Sequence, residues 1–127
     1  MDTNAHEIIY KDLAYKVIGA AMDVHNALGC GFLEKVYENA LMVALQQRGL
    51  NCEQQKPIKV YYQGIVVGDY CADILVENAV ILELKVVDAL SDIHRAQALN
   101  YLKATGFKLA ILLNFAKPKL ERERIVL

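Results

Sequence analysis

Apolar residues recur at helical spacing over the first third of the chain, and two helices are predicted there. The first runs from about His6 to Leu28, where the glycine-rich segment "GCG" ends it. The second covers "FLEKVYENALMVALQQRG" and ends at Gly49. The apolar stripe of the first helix is Ile9, Leu13, Val17, Ala20, Val24 and Leu28; that of the second is Leu33, Val36, Tyr37, Ala40, Leu41, Ala44 and Leu45.

The spacing then changes from helical to strand-like, which predicts a sheet. "PIKVYY", "GIVVGDYCADILV" and "AVILELKVV" are predicted strands, and the first two are joined at "QG". A third helix is predicted from the N-cap Ser91 to Gly106, followed by the buried strand "KLAILLNF" and a short edge strand at "RIVL". This order predicts an α/β fold, or α+β by strict accounting, in which helices pack on a mixed sheet.

Charged residues interrupt the apolar strands in "YCADILVENAVILELKV", which spans 70–86. A three-residue turn at 77–79 would place Asp73 opposite Glu83. The two-residue period of a strand puts Lys85 on the same face as Glu83. Two facing carboxylates repel, so this pattern indicates a cation between them. A two-residue turn would instead put the two acids on opposite faces, so the predicted site depends on the register.

Polar residues on two helices point to the same region. Glu34 lies within the apolar arc of the second helix and is predicted to face the sheet, not the solvent. As an alternative, Glu34 is a first-turn acid that complements the helix dipole. Gln97 and Tyr101 lie one turn apart on the third helix, and both could reach the sheet. The alternative for Glu83 and Lys85 is an exposed salt bridge of little energetic value.

Composition narrows the class of protein. The 127 residues are 55% hydrophobic and 23% charged, which fits one globular domain with its own core. The sequence has no apolar run of about 20 residues and no signal-peptide layout, so we expect a cytoplasmic protein without a membrane partner. The cysteines, Cys30, Cys52 and Cys71, are odd in number and lack CxxC spacing, which favours reduced thiols. The net charge of −1 does not by itself indicate binding to nucleic acid.

Four motifs in one order make a specific resemblance. "GFLEKVY" at 31–37 matches Gly-x-x-Glu-x-x-Tyr, "YCADILV" supplies an Asp motif, "LELK" a Glu-x-Lys motif and "QALNY" a Gln-x-x-x-Tyr motif. With these motifs, the chain resembles the GxxExxY family of the PD-(D/E)xK nuclease superfamily from residue 24 to residue 115. The proline of the superfamily name is absent. The resemblance implies the restriction-endonuclease-like αβββαβ core, which is the predicted order with an extra N-terminal helix.

The resemblance also implies a metal centre. The implied ion is Mg²⁺, with Mn²⁺ as a substitute, and its ligands are Asp73, Glu83 and the backbone carbonyl of Leu84. Glu34 would act through a water or a second ion. The implied activity is hydrolysis of phosphodiester bonds in DNA, or in RNA, by a water that the metal activates.

The remaining implied roles concern the groups around the metal. Lys85 would orient or deprotonate the attacking water, or stabilise the developing charge. Gln97 would position that water or Lys85. Tyr37 and Tyr101 would brace the site without reacting.

Residues 1–127 are expected to form one domain, with an N-terminal helix at 1–28, the core at 32–115 and a tail or edge strand at 116–127. Such a small core offers few loops to hold nucleic acid, so a homodimer or a partner protein could complete the cleft. The alternative function is a binding or assembly module that keeps the nuclease fold without efficient catalysis.

Overall fold

The computed structural model describes residues 5–127, with side chains from residue 10 onward. The predicted side-chain position of Ile9 therefore lies outside the described residues. The elements are α1 (Ala5–Leu28), α2 (Glu34–Gln47), β1 (Cys52–Tyr62), β2 (Ile65–Val76), β3 (Val80–Lys85), α3 (Asp92–Thr105), β4 (Leu109–Asn114) and β5 (Glu121–Val126).

The five strands form one mixed sheet in the order β1-β2-β3-β4-β5. The first three strands form an antiparallel meander. Helix α3 then carries the chain across to β4, which runs parallel to β3, and β5 pairs antiparallel with β4 at the far edge. This mixed sheet with packed helices confirms the predicted fold class.

Apolar side chains form a core on each face of the sheet. On one face the sheet packs against α1 and α2, and this layer contains Leu82 and Leu84 of β3. On the other face it packs against α3, and this layer contains Ile81. Because side chains alternate along a strand, Glu83 and Lys85 continue the row of Ile81 and lie on the α3 side. The sheet thus places these two charged residues beneath α3.

The turn between β2 and β3 has the predicted three-residue length. Val76 pairs with Val80, and regular pairing continues as far as Ile74 with Leu82. The first two residues of the turn at 77–79 have φ angles of 52° and 51°, the left-handed conformation that such loops use. The register is therefore the predicted one, and the two-residue alternative is wrong.

The predicted end of α1 and both predicted ends of α3 are also observed. Gly29 has a φ of 69° and its N–H donates to the carbonyl of His25, which ends α1. Gly106 has a φ of 83° and ends α3 in the same way. At the start of α3, the backbone N–H of Ser91 donates to Nδ1 of His94 at 3.0 Å. Each end satisfies backbone groups that the helix leaves without partners.

Several predicted boundaries and burial positions were wrong. Strand β1 begins five residues before Pro57, because side chains at 52–56 alternate between half-buried and exposed positions. Strand β5 begins at Glu121, not Arg124. Helix α2 begins at Glu34, two residues after the predicted start. Leu33 and Val36 are exposed instead of joining the apolar arc, because the first turn of α2 precedes the part that packs on the sheet.

The cysteines are free thiols, two of them exposed and Cys52 half-buried. Burial raises the pKa of Cys52 to about 11, and the carboxylate of Glu77 adds to the effect. Cys52 therefore stays a protonated thiol near neutral pH. In the described part of the chain, no helix combines the length and the apolar character that crossing a bilayer requires.

Candidate active site

Asp73 lies where β2 loses its pairing with both neighbouring strands. Towards β3, regular pairing stops at Ile74. Towards β1, pairing is interrupted at Gln55, which lies opposite Asp73 and has a φ of 56°. A non-glycine residue in this conformation is uncommon and costs about 1 kcal/mol or more, so its surroundings must hold it there. Asp73 thus lies at a point of the sheet where regular backbone pairing is missing on both sides.

Side-chain carboxylates replace the missing backbone pairing between β2 and β3. The N–H of Asp73 donates to Oε2 of Glu83 at 2.9 Å, and the N–H of Leu84 donates to Oδ2 of Asp73 at 2.7 Å. Among the described residues, no buried side-chain nitrogen or oxygen lacks a hydrogen-bond partner. Oδ1 of Asp73 and Oε1 of Glu83, the second oxygens of the two carboxylates, accept no hydrogen bond from the described residues and are therefore accessible from outside the protein.

Burial makes the ionised forms of both acids unfavourable. Glu83 is 4% exposed, and burial raises its pKa to about 8, with the carboxylate of Asp73 adding to the rise. Burial also raises the pKa of Asp73, although the hydrogen bond from Leu84 opposes that rise. Lys85 favours the ionised form of both groups. The pair therefore lacks part of the positive charge needed to keep both carboxylates ionised.

Lys85 is held by α3 instead of by an acid. Its Nζ donates to Oε1 of Gln97 at 3.2 Å, and Nε2 of Gln97 donates to Oη of Tyr101 at 3.1 Å. In the described part of the chain, Lys85 and Glu83 form no ion pair within 4.0 Å, so the exposed salt-bridge alternative is wrong. The one-turn spacing of Gln97 and Tyr101 makes this series of hydrogen bonds possible, because residues four apart lie on one side of a helix.

Glu34 lies at the rim of the site. It is exposed at the first residue of α2, so the prediction that it faces away from solvent is wrong. Partial burial raises its pKa, the Asp73 carboxylate adds to the rise, and Lys85 opposes it. An acid stabilised mainly by the helix dipole would have a lowered pKa instead. Its electrostatic environment is therefore that of Asp73 and Lys85.

The buried acid of α2 is Glu38, one turn after Glu34, and it is not among the residues predicted from the sequence. Glu38 is 2% exposed and accepts hydrogen bonds from Lys35 at 2.9 Å, Gln54 at 2.5 Å and Gln55 at 3.1 Å. Burial alone would raise its pKa, but these three donors outweigh burial and lower it. The available signal was the four-residue spacing, which puts both acids on one face of the helix.

The Glu38 network supports the interruption in β1. Gln55, with its left-handed backbone opposite Asp73, directs its side chain to Glu38. Gln54 also bonds Oδ1 of Asn39 at 2.8 Å. These bonds tie α2 to β1 beside Asp73 and help to hold the strained backbone in place.

Tyr37 supports the glycine loop that precedes α2. Its hydroxyl donates to the carbonyl of Gly29 at 2.5 Å and accepts from the N–H of Phe32 at 3.3 Å. Its ring stacks on Phe115 with the ring centroids 4.7 Å apart. The hydrogen bonds of Tyr37 therefore go to the loop at 29–32.

A hard divalent ion fits these donors. Mg²⁺ binds oxygen and usually takes one or two carboxylates, with waters and phosphate completing its shell. The accessible oxygens of Asp73 and Glu83 meet that need, and a cation there would offset the burial of two like charges. Among the described residues, no cluster of three or more His, Cys, Asp or Glu side chains forms. A dedicated all-protein cage, such as structural zinc requires, is thus not the kind of site that these residues make.

Comparisons with known proteins concern the family and the fold of this chain. The model of the PD-(D/E)XK nuclease superfamily matches residues 11–125. A solved structure titled "Crystal structure of SSO0001" has a TM-score of 0.59 and 18% identity over 95% of this chain, a likeness that shows the fold alone. This chain spans 61% of the length of that one. A search of curated proteins finds no match. The match over most of its length shows that this chain belongs to the PD-(D/E)XK nuclease superfamily.

Proposed function

We propose that this protein is a nuclease that hydrolyses phosphodiester bonds of DNA, or of RNA, with Mg²⁺ as its ion and Mn²⁺ as a substitute. Nucleases of the superfamily generally use divalent metal ions. The observation that carries the proposal is the pair formed by half-buried Asp73 and buried Glu83, which lie side by side with one accessible oxygen each, next to Lys85.

The chain's own groups have distinct tasks in this proposal. Asp73, Glu83 and the backbone carbonyl of Leu84 would hold the ion. When bound, a divalent ion polarises the phosphoryl group and activates water. The reciprocal bonds between the two strands keep both carboxylates oriented before substrate arrives, so little reorganisation is needed.

Lys85 is the group proposed to act on the attacking water. Its ammonium has three N–H donors, and Gln97 occupies one of them. The other two remain for the water or for the charge that develops on the phosphate oxygens. Gln97 and Tyr101 set the position of Lys85, and Glu34 at the rim acts through a water or a second ion.

We further propose that the chain belongs to the GxxExxY branch of the superfamily, because its motif has a local physical reason. Gly31 has a φ of 107°, which favours glycine. Glu34 and Tyr37 follow at three-residue spacing, so one side chain lies at the rim of the site and the other fixes the preceding loop. A cytoplasmic location, and a second copy or partner protein that completes the cleft, stay predictions.

The test is cleavage of a panel of single-stranded, duplex and branched DNA and RNA in Mg²⁺, in Mn²⁺ and in EDTA. We expect metal-dependent cleavage by the wild type, and its loss in Asp73→Ala and in Lys85→Ala. Asp12→Asn and Lys16→Ala, at exposed positions of α1, are matched controls and should cleave normally. Cleavage that persists in either site variant would indicate a contaminating nuclease.

One observation favours a second function, a binding or assembly module without efficient catalysis. The net charge of −1 gives the chain little of the basic excess that nucleic-acid enzymes use to hold phosphates. Calorimetric titration with Mn²⁺ separates the two functions, with the double variant Asp73→Ala/Glu83→Ala as the control. Absence of metal-dependent heat in the wild type would favour the binding module.

A further inference from the structure

An open groove of about 930 Å³ lies between the β1–β2 hairpin and α3. We call it the tyrosine groove. It includes Gln97 and Tyr101, which also position Lys85, so the groove is continuous with the candidate active site. Its other main wall residues are Lys59, Tyr61, Val67, Tyr70, Ile93 and Lys103.

The walls of the groove are apolar and yet exposed. Tyr61 is 60% exposed and Ile93 is 80% exposed, and Val67 and Tyr70 are exposed beside them. Scattered single apolar residues are ordinary on a surface, but a contiguous apolar patch marks an interaction site. The patch lies beside the candidate active site, where a nucleic-acid strand bound at that site would extend away from it.

The ring of Tyr70 is held in place by its neighbours. A Cβ atom added to Gly68 would lie 2.8 Å from Cε2 of Tyr70, so an edge of the ring lies against this glycine. The centroid of the ring also lies 5.8 Å from that of the Tyr101 ring, at an interplanar angle of 45°. An exposed aromatic ring that is already ordered offers a stacking surface at little entropic cost.

Two lysines supply positive charge along the groove. Lys59 pairs with Asp69 at 3.3 Å, but both groups are exposed and such a pair is worth little. Lys103 forms no ion pair with any described residue. Two cations beside aromatic rings suit a backbone with stacked bases, whereas duplex binding depends on neutralising many phosphates.

We infer that the tyrosine groove binds unpaired nucleotides of a single strand, with bases stacked on Tyr61 and Tyr70 and phosphates near Lys59 and Lys103. The inference rests on the proposed function for the position of the scissile bond, but binding in the groove does not require cleavage. A second copy of the chain fits less well, because the edge strand β1 carries Pro57 and charged residues that oppose strand addition.

The test is fluorescence anisotropy with a labelled 12-nucleotide DNA strand and with the duplex of the same sequence, in EDTA. We expect the wild type to bind the single strand at least tenfold more tightly than the duplex. Tyr61→Ala and Tyr70→Ala should each weaken single-strand binding about tenfold, and Tyr70→Phe should retain it, because the ring carries the interaction. The matched control is Tyr15→Ala, 81% exposed on α1, which should change nothing. Lys103→Glu should weaken binding and reduce its salt dependence.

Asp73→Ala separates this inference from the proposed function. It should bind the single strand as the wild type does while losing cleavage. A wild type that binds single strands through the tyrosines and cleaves nothing would overturn the proposed function and leave the groove intact. The groove assignment is overturned by equal binding of duplex, by tyrosine variants within about twofold of wild type, or by a dimer that Tyr61→Ala dissociates. Thermal melts of each variant establish that it is folded.

Discussion

Two buried glutamates lie on opposite sides of Asp73 and differ in how the protein treats their charge. Glu38 accepts hydrogen bonds from an ammonium and two side-chain amides, and its pKa is lowered. Glu83 accepts one backbone N–H and has Asp73 as its charged neighbour, and its pKa rises to about 8. Glu38 is 2% exposed and Glu83 is 4% exposed, so the degree of burial does not explain the difference.

Glu38 has enough hydrogen-bond donors to balance its negative charge, whereas Glu83 does not. A buried carboxylate whose partners are all present can stay ionised, and Glu38 ties α2 to β1 in that state. A buried carboxylate beside another acid requires a cation or a proton. The surroundings of Glu83 therefore fit the proposed role in binding a cation, whereas the charge of Glu38 is already compensated.

The largest expected effect is on cleavage. Glu83→Gln should lower the rate at least about a thousandfold, because it removes a proposed ligand of the ion that would stabilise the transition state. Glu38→Gln should stay within about tenfold of wild type. The measurement is the single-turnover rate in Mg²⁺ at a temperature at which both variants are folded. An equal loss in Glu38→Gln would mean that Glu38 takes part in the chemistry.

The next largest effect is on the stability of the fold, and here Glu38→Gln should have the larger effect of the two glutamate variants. Glu38→Gln should lower the free energy of unfolding by about 3 kcal/mol, because it weakens charge-assisted bonds and turns an amide towards three donors. Urea denaturation measures this change. Glu53→Gln is the matched control, since the exposed pair of Glu53 with Lys56 at 3.4 Å should contribute less than about 0.5 kcal/mol. A loss of similar size in the control would contradict the role of the network.

The smallest effect is a pH dependence of the metal-free protein. Between the ordinary pKa of 4.5 and its native value of about 8, Glu83 keeps its proton in the folded state and releases it on unfolding. The free energy of unfolding should therefore fall as pH rises through that window, by about 1 to 2 kcal/mol between pH 6 and pH 8. Glu83→Gln should remove this slope and be more stable than wild type at pH 8, as measured by urea denaturation.

Glu38 should contribute a pH dependence of the opposite sign to the free energy of unfolding, and the same experiment measures it. Its lowered pKa stabilises the fold above pH 4.5, and that contribution is lost only as pH falls through the native pKa. Glu38→Gln should therefore flatten the acid side of the profile and leave the slope above pH 6 unchanged. A slope above pH 6 that survives Glu83→Gln would contradict the assignment to Glu83.

Local rules were enough to predict the register around the carboxylates. The three-residue turn and the two-residue period bring Asp73 and Glu83 to facing positions and put Lys85 on the same side. The spacing of Gln97 and Tyr101 on α3 likewise predicted two side chains directed at the sheet. Both take part in the series of hydrogen bonds that holds Lys85. These relations involve residues within one turn of helix or one hairpin.

The two acids of α2 show where such rules end. Periodicity puts Glu34 and Glu38 on one arc, and it cannot say which of them lies over the sheet. The start of the helix and its packing decide that Glu34 is at the rim and Glu38 is buried. The partners Gln54 and Gln55 come from a strand that begins earlier than its apolar residues indicate.

The sequence by itself determined the order of elements, the hairpin register and the set of charged residues on one end of the sheet. These follow from periodicity and turn length, which act between residues close along the chain. Only the tertiary structure decided which acid is buried among several donors, which is buried beside another acid, and that a groove of tyrosines opens beside them. Burial and hydrogen bonding depend on contacts between segments that are far apart in the sequence. The periodicity of residues within one segment does not determine how closely such segments approach each other.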